Sequence, residues 1–281
     1  MSRKSTLSRV RAGIAAVAIA AFALTGCAPA DTAATDESAF TTITPGKLTI
    51  GTGLPAYEPW VVGDAPESGE GFEAAVAYAI AAELGFAAED VVWVRTTFDE
   101  AIAPGAKNFD FNLQQYTITE ERKANVDFSD PYYVTTQTVI TVAGSGAENA
   151  TSLADLKDLL VGAASATTSF TAIEEFIAPT AGAQAFNSND DAKAALQSGQ
   201  LDALVVDLPT ALFLTCCDLT DGKILGQIAG AEGGDSFGLV LDKGSALTAA
   251  VNAAIKTLRD NGTLAELEKK WLTDTGAPVL E

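Results

Sequence analysis

The sequence has no histidine, one methionine and three cysteines, so the side chains used by most transition-metal sites are scarce. Zinc and copper sites draw on these residues, and no EF-hand spacing of carboxylates occurs. We therefore expect no metal and no cofactor. Basic residues are also few, because 17 Lys and Arg stand against 37 Asp and Glu, a formal net charge of −20. This balance disfavours a nucleic-acid partner, whose phosphates require neutralisation by Lys and Arg.

The first 26 residues have the pattern of an export signal. Four basic residues and no acidic one lie within 1–11, and an apolar run follows over 12–24. That run is shorter than the roughly 20 apolar residues that a membrane-spanning helix needs. The segment Leu24-Thr25-Gly26-Cys27 resembles a lipobox, which implies cleavage after residue 26 and a lipid on Cys27. We predict a lipid-anchored protein outside the cytoplasm, with a chance cysteine after an ordinary signal as the alternative. Loss of 1–26 takes the net charge to −24.

Residues 27–45 are rich in Ala, Thr and Asp and predict a flexible tether. The remainder, 46–281, is long enough for one large domain or two of ordinary size. In it, apolar runs alternate with helical patterns, which indicates an α/β fold with mostly parallel sheets. The predicted strands are 47–53, 90–95, 109–114, 159–164, 201–207 and 237–243. The predicted helices are 71–85, 98–105, 152–158, 168–177, 190–199, 209–217, 245–260 and 263–272.

Three polar clusters lie at the ends of predicted strands, where ligands bind in open α/β sheets. The strand over 109–114 runs into the first cluster, which consists of Gln115, Thr117, Thr119 and Arg122. The second, SATTS at 165–169, offers hydroxyls and N–H groups at a helix N-terminus. The third is Asp207. The first two clusters offer hydrogen-bond donors to an anion, and Asp207 offers a carboxylate to a cation. No catalytic base is predicted between them. This combination favours a receptor for a zwitterion.

Each of these residues also has an ordinary structural interpretation. Thr167 and Thr168 suit helix N-caps, and Asp207 suits the N-cap of a helix with Pro209 in its first turn. Arg122 alone is typical of a surface or salt-bridge arginine.

In its ordered set of motifs, the chain resembles the polar amino-acid-binding proteins of ABC importers, solute-binding protein family 3. The resemblance covers about 46–275. It rests on LTIGTGLPAYEPW, GEGFEAAVAYAIAAELG, FDEAIAPGAKNFDF, YTITEERKANVDFSDPYY, SLADLKDLLVGAASATTS, GQLDALVVD and NGTLAELEKKW, in the order of the family.

The resemblance implies a type II periplasmic-binding fold, in which two α/β lobes are joined by two crossing strands and close by a hinge. The crossings are expected near 134–140 and 232–237. The first lobe would contain 46–136 and 237–281, and the second lobe, with the hinge strands, 137–236. The expected partners are a free amino acid, the permease subunits of an ABC transporter and, through Cys27, membrane lipid. We expect a monomer.

The resemblance also implies roles for residues of the clusters. Arg122 would pair with the ligand α-carboxylate, on which Thr167 and Thr168 would close. The second set would receive the α-ammonium and consists of Thr117, backbone oxygen near Gln115, and Asp207. Tyr57 and Phe98 would flank the ligand side chain.

Two departures from the family pattern bear on the ligand. Leu54 stands where members that bind cationic side chains often have an acid, so we expect an uncharged polar or acidic amino acid. Ala166 replaces a glycine before the threonines, which leaves that backbone less free.

Two other classes of function are alternatives to the receptor. An exported enzyme of the cyclohexadienyl or arogenate dehydratase type would need a positioned acid or base, and Glu58 is the candidate. A module of a membrane sensor would need a second transmembrane or signalling segment, and none is predicted before Glu281. Cys216 and Cys217 fit either a vicinal disulfide or reduced thiols buried in a helix.

Overall fold

Strands and helices alternate along the chain and build two sheets with helices packed against them. The computed structural model describes residues 40–229, 234–272 and 276–281. The predicted signal peptide, Cys27 and the tether up to residue 39 lie outside the described residues. Within the described ranges, no helix has the length and apolar character that crossing a membrane requires.

Thirteen strands and eight α-helices are assigned in the described residues. The strands are β1 (Leu48–Gly53), β2 (Val91–Thr96), β3 (Phe111–Asn112), β4 (Asp127–Phe128), β5 (Tyr133–Thr135), β6 (Gln137–Val142), β7 (Val161–Ala164), β8 (Gln184–Phe186), β9 (Ala203–Asp207), β10 (Gly222–Ile228), β11 (Asp235–Phe237), β12 (Val240–Leu241) and β13 (Val279–Leu280). The helices are α1 (Phe72–Glu83), α2 (Phe98–Ile102), α3 (Glu120–Lys123), α4 (Thr168–Ala172), α5 (Asn189–Gln197), α6 (Leu208–Phe213), α7 (Thr248–Asp260) and α8 (Thr263–Trp271).

The strands form one sheet in each lobe and a short ladder between the lobes. The first sheet has the order β2-β1-β3-β12-β4, and the second has the order β13-β10-β6-β9-β7-β8. Strands β5 and β11 pair antiparallel and connect the two. This is the two-lobed fold with two crossing strands that the family resemblance implies, and the predicted fold class is confirmed.

The pairing within the sheets is more mixed than the sequence predicts. Among the described strand pairs, five are parallel and five are antiparallel, where we expected mostly parallel sheets. The crossing explains part of the difference. After each crossing strand the chain enters the other lobe, and β6 and β12 then run antiparallel to the strands beside them.

Helix α1 shows how local sequence ends an element and fills the first core. Gly85 has a φ of 87°, and Phe86 N–H bonds to Ala81 O, which closes the helix with a left-handed cap. The buried side chains of the helix pack on the same cluster as Leu48 and Ile50 of β1, together with residues of α7 and α8. Burial of this apolar surface holds the helices on the first sheet.

The second sheet is buried on both faces, which explains the continuous apolar run of β9. Ala203 and Val205 pack into one cluster, and Leu204 and Val206 pack into the other. Because successive side chains of a strand point to opposite faces, a strand buried on both sides reads as unbroken hydrophobicity.

The two ends of the folded body differ from the expected boundaries. Strand β13 pairs parallel with β10, so the C-terminal residues lie with the second sheet and not, as the sequence predicts for 237–281, with the first lobe. Residues 40–45, expected in the flexible tether, contact the first lobe. The ring of Phe40 packs 6.4 Å from that of Phe86, and the Ile43 N–H bonds to buried Asp110 at 2.8 Å.

Several predicted elements are shorter or divided. The strand expected over 237–243 splits into β11 in the crossing and β12 in the first sheet. The expected helix 152–158 is a single 3-10 turn, Ala154–Leu156, and the strand 109–114 keeps two residues, β3. Helices α4 and α6 each continue into a π-helical turn, Ile173–Ile177 and Leu214–Asp218.

Candidate functional site

A cavity of about 100 Å³ lies in the cleft between the lobes. Residues of both lobes line it: Leu54, Pro55, Tyr57, Thr97, Phe98, Gln114, Gln115, Arg122, Ala164, Ser165, Thr167, Thr168, Ser169, Asn187, Ser188, Asn189, Val206 and Asp207. Seven of the eight ligand-binding residues suggested by the sequence belong to this lining. The eighth, Thr117, is not among the described lining residues, but its hydroxyl oxygen is 3.1 Å from that of Thr168, which is.

Arg122 bridges the two lobes through main-chain oxygens. Thr119 caps α3 and accepts from Arg122 N–H at 3.2 Å, which fixes the start of this short helix. The guanidinium donates to Thr117 O at 2.7 Å and to Ala166 O at 2.8 Å. The side chain is buried, with 8% of its surface exposed, and burial lowers the pKa of Arg122. No described carboxylate forms an ion pair with it.

Aromatic rings lie beside the guanidinium. Arg122 Cζ is 5.3 Å from the centroid of Phe98, whose ring packs 4.6 Å from that of Tyr116. Phe98 therefore both packs against the core and faces the cleft. Tyr57 lines the cleft and reaches toward α5, where burial first and then the charge of Asp190 raise its pKa.

Gln115 is held in an uncommon backbone conformation by Glu73. Its φ is 51°, a left-handed value that costs a residue with Cβ about 1–2 kcal/mol. Glu73 accepts from Gln115 N–H at 2.7 Å and from its side-chain amide at 2.6 Å, and also from the Tyr132 hydroxyl. Burial raises the pKa of Glu73 to about 7. The side-chain amide N–H of Gln115 is therefore already used in a hydrogen bond to Glu73.

Two amides that precede Gln115 in the chain differ in their placement. Gln114 lines the cleft, and its Oε1 accepts from Tyr116 Oη at 2.9 Å. Asn112 is fully buried within the first sheet, where its Nδ2 donates to Thr96 Oγ1. Of these two, Gln114 alone lines the cleft.

The loop before α4 combines a cap with a second left-handed residue. Thr167 caps α4, because its Oγ1 accepts from Phe170 N–H and donates to Ala164 O at 2.6 Å. The capping interpretation of its hydroxyl is therefore correct. Ala166 has a φ of 57°, which turns its carbonyl toward Arg122. Strain of this kind is common at binding sites.

Two neighbouring acids, Asp207 and Asp235, lie at the other end of the cleft. Asp207 ends β9, and its Oδ1 accepts from Gln137 Nε2 at 3.0 Å. The same nitrogen donates to Asp235 Oδ2 at 2.6 Å. Asp235 also accepts from the hydroxyls of Thr117 and Thr168. Burial, with repulsion from Asp235, raises the pKa of Asp207 to about 8.

Sequence reasoning missed Asp235, Gln137 and the role of Glu73. Asp235 follows a glycine-rich segment with no strand pattern, and only the expected crossing near 232–237 points to it. Gln137 lies on the other crossing side, where β6 pairs it with Asp207. A search for polar residues at both crossings could have found the pair.

Cys216 and Cys217 form a disulfide on the surface of the second lobe. Of the two alternatives, the structure therefore has the vicinal disulfide, and because both residues are exposed, that of reduced thiols buried in a helix is wrong. The π-helical turn at the end of α6 carries them out of the core. In the described ranges, no three His, Cys, Asp or Glu residues are grouped to hold a metal ion.

The sequence profile of the bacterial extracellular solute-binding proteins, family 3, matches residues 48–274. The chain belongs to this family. This match confirms the family resemblance that the sequence motifs indicate. Among relatives, the ABC transporter glutamine-binding protein GlnH of Bacillus subtilis is 33% identical over 218 residues, which cover 75% of this chain and 77% of GlnH.

Solved structures give the same result for the fold. An ancestral arginine-binding protein bound to glutamine matches with a TM-score of 0.69 and 31% identity, covering 81% of this chain and 98% of that one. The ancestral amino-acid-binding protein AncCDT-1, described as a precursor of cyclohexadienyl dehydratase, matches with a TM-score of 0.67 and 32% identity, covering 81% and 96%.

Proposed function

We propose that this family 3 protein captures a free amino acid in the cleft by hinge closure and delivers it to the permease subunits of an ABC importer. One observation carries the proposal. Buried Arg122 stands at one end without a carboxylate partner, and Asp207 with Asp235 stands at the other without a cation. A free amino acid carries the two complementary charges, and its binding would pair both ends.

The orientation follows from the two ends. The α-carboxylate would meet the guanidinium of Arg122, whose planar donors suit two oxygens. The N–H groups of Thr168 and Ser169 in the first turn of α4 have no intrahelical acceptor and would add to this end, whereas that of Phe170 is capped by Thr167. The α-ammonium would lie toward Asp207 and Thr117. The crossing strands β5 and β11 are where the lobes would hinge.

The side chain of the ligand would be uncharged polar or acidic, and the lining favours the first. Of the described lining residues, Arg122 and Asp207 alone have a guanidinium or a carboxyl group, and both would be taken by the zwitterion. A charged ligand side chain would be buried without a partner, at a cost of several kcal/mol. Leu54, 62% exposed at the rim, offers no carboxylate. Gln114, Asn187 and Asn189 can hydrogen-bond an amide or a hydroxyl. The glutamine named for GlnH supports this choice.

Thermal-shift screening of the purified protein against the twenty amino acids tests the proposal. A ligand at 100 times its Kd adds about 2.7 kcal/mol of stability. We expect the largest shift from an amino acid with an uncharged polar side chain. A largest shift from lysine or arginine would overturn the proposed selectivity, and no shift from any amino acid would overturn the function.

We also propose that a lipid on Cys27 anchors the protein, as a monomer, to the outer face of the cell membrane. The motif Leu24-Thr25-Gly26-Cys27 supports this. Replacing the acylated residue, Cys27→Ala, should release the protein into the soluble fraction or the medium. Fractionation that finds the variant still wholly membrane-bound would contradict the anchor.

The arrangement supports a receptor more than a dehydratase. Glu58, the acid considered for catalysis, accepts from Gly63 N–H and is not among the described residues that line the cavity. Incubation with prephenate-like or arogenate-like acids should therefore give no turnover.

A further inference from the structure

One carboxylate on a crossing strand bonds a hydroxyl from each lobe. Asp235 begins β11, and its Oδ2 accepts from Thr117 Oγ1 at 3.2 Å and from Thr168 Oγ1. Thr117 belongs to the first lobe, and Thr168 begins α4 of the second. The two hydroxyl oxygens are 3.1 Å apart.

The carboxylate determines where the hydroxyl protons point. A threonine hydroxyl has one proton to donate and two lone pairs, whereas an ionised carboxylate can only accept. Thr168 gives its proton to Asp235. Thr117 gives its proton to Asp235 or to the Thr168 oxygen. In either case neither hydroxyl keeps a proton for a ligand. When Thr117 donates to Asp235, each oxygen keeps a free lone pair, because Gln137 Nε2 takes only one lone pair of Thr168.

The side chain of Gln137 is independent evidence that this end of the cleft lacks a hydrogen-bond donor. This side chain is 2% exposed, and its Nε2 donates to Asp207, to Asp235 and, at 3.4 Å, to Thr168 Oγ1. The amide nitrogen is fixed on the carboxylates because a carbonyl oxygen there would be repelled. Its Oε1 is buried and has no hydrogen-bond partner among the described residues. A buried acceptor without a hydrogen-bond partner destabilises the protein, so a donor at this oxygen would be favourable.

We infer that Asp235 is a positioning residue that sets the hydroxyls of Thr117 and Thr168 as acceptors for the α-ammonium of the bound amino acid. The inference rests on the proposed function and changes one role within it. The family resemblance has Thr168 close on the α-carboxylate. With its proton on Asp235, the Thr168 hydroxyl suits the ammonium instead, and the carboxylate is left to Arg122 and main-chain N–H groups.

The selectivity between an amino acid and its deamino analogue tests this role. The probes are L-glutamine and glutaramate, which has the same chain without the α-ammonium, titrated calorimetrically into the full protein and into Asp235→Asn. Asparagine keeps the shape and one acceptor oxygen but adds an N–H donor, so the hydroxyls are no longer forced to donate inward. We expect glutamine to bind roughly tenfold or more weakly to the variant. Glutaramate affinity should not fall, so the ratio of the two drops by the same factor.

A purely structural role in the hinge gives a different result. It would weaken both compounds by the same factor, and an unchanged ratio would overturn the inference. Thr168→Val gives a second measurement if Asp235→Asn folds poorly, and the ratio should drop there too. The matched control is Asp221→Asn, an exposed acid next to β10, which should leave both affinities unchanged.

The result also separates this inference from the function on which it rests. If the wild-type protein binds no L-amino acid, the proposed function fails and the inference fails with it. If another L-amino acid gives the largest thermal shift, that amino acid and its own deamino acid replace the glutamine pair. Wild-type binding with an unchanged ratio in Asp235→Asn refutes the inference alone.

Discussion

The two ends of the cleft differ in the sign of their charged groups and in the direction of their hydrogen bonds. Arg122 donates to two main-chain carbonyls, whereas Asp207 and Asp235 accept from an amide and two hydroxyls. Neutral groups form the hydrogen bonds at both ends. The charge of Arg122 acts on the two acids only through space, where it lowers the pKa of Asp207 against the larger effect of burial. Within the described residues no ion pair links the two ends. The cleft therefore keeps positive and negative charge apart, as a receptor for a zwitterion requires.

Burial acts on both ends in the same sense, because it disfavours the charged form. It lowers the pKa of Arg122 and raises that of Asp207 to about 8. An incoming group of opposite charge would reverse each effect. The difference between the ends lies in titration: Arg122 stays charged at any physiological pH, whereas Asp207 does not. The charge of the Arg122 end is therefore constant over physiological pH, whereas the charge of the Asp207 end changes with pH.

The largest effect is expected from removing the fixed charge. Arg122→Met would leave the ligand carboxylate buried and unpaired, which costs about 3–5 kcal/mol and corresponds to roughly two to four decades of affinity. Since Arg122 is buried and bonded to both lobes, the ligand-free protein should also melt a few degrees lower, at about 2–4 °C per kcal/mol. Calorimetry and thermal melting on one sample measure both effects.

Arg259→Met is the control for this prediction. Arg259 also donates to a main-chain carbonyl, that of Pro131, but it is exposed on α7. Its loss should leave ligand affinity unchanged. If Arg122→Met lowers the melting temperature with near-native affinity, Arg122 is a brace between the lobes and not the anion anchor.

The titration of Asp207 predicts that ligand affinity depends on pH. Asp207 faces Asp235, Arg122, Glu73 and the amide of Gln137, and its raised pKa means that it holds a proton at neutral pH without ligand. Binding an ammonium requires it to ionise. Affinity should therefore rise by up to about tenfold per pH unit between pH 6 and 8, with release of a proton. Titration in buffers of different ionisation enthalpy measures both, and Asp207→Asn should bind more weakly and lose the dependence.

The stability of the ligand-free protein should change in the opposite direction. A carboxyl whose pKa is raised on folding contributes stability that is fully present below its unfolded pKa, near 4, and disappears as pH rises through its folded value. For Asp207 that range ends near pH 8, and for Glu73 near pH 7. Asp207→Asn should therefore lose less stability than the wild type between pH 5 and 8. A wild-type melting temperature and affinity that both rise over this range would contradict the assignment.

The smallest effect is expected from an uncharged contact between the lobes. Trp60, packed against Phe72 and Phe237, donates from Nε1 to Thr210 Oγ1 at 2.9 Å. Trp60→Phe keeps an aromatic ring and removes the hydrogen bond, worth about 1 kcal/mol or roughly fivefold in affinity. Because the contact carries no charge, glutamine and glutaramate should weaken alike. A change in their ratio would mean that discrimination does not lie at the charged ends.

The predictability of the fold follows from local pattern. The α1 segment has apolar residues and a glycine stop, and β9 is an unbroken apolar run, so each could be assigned without its neighbours. The crossing strands lack such a pattern, because β5 and β11 are short and are held by each other. Residues 40–45 look like linker, and only their contacts with Phe86 and Asp110 show that they belong to the folded body.

The same distinction holds within the site. Arg122, Thr168 and Asp207 stand at strand or helix ends, where the topology of an α/β sheet collects ligand groups. Asp235 reaches the site across more than a hundred residues, from a segment with no signal of its own. Glu73 is visible in the sequence, but its hold on Gln115 depends on a left-handed residue that no side-chain pattern reveals.

A crystal structure of the protein with the amino acid that gives the largest thermal shift tests the central claim most directly. We predict an α-carboxylate paired with the guanidinium of Arg122, an α-ammonium bonded to Asp207 and the Thr117 hydroxyl, and a neutral side chain beside Gln114. An amino acid bound in the reverse direction, or outside the cleft between the lobes, would contradict the account.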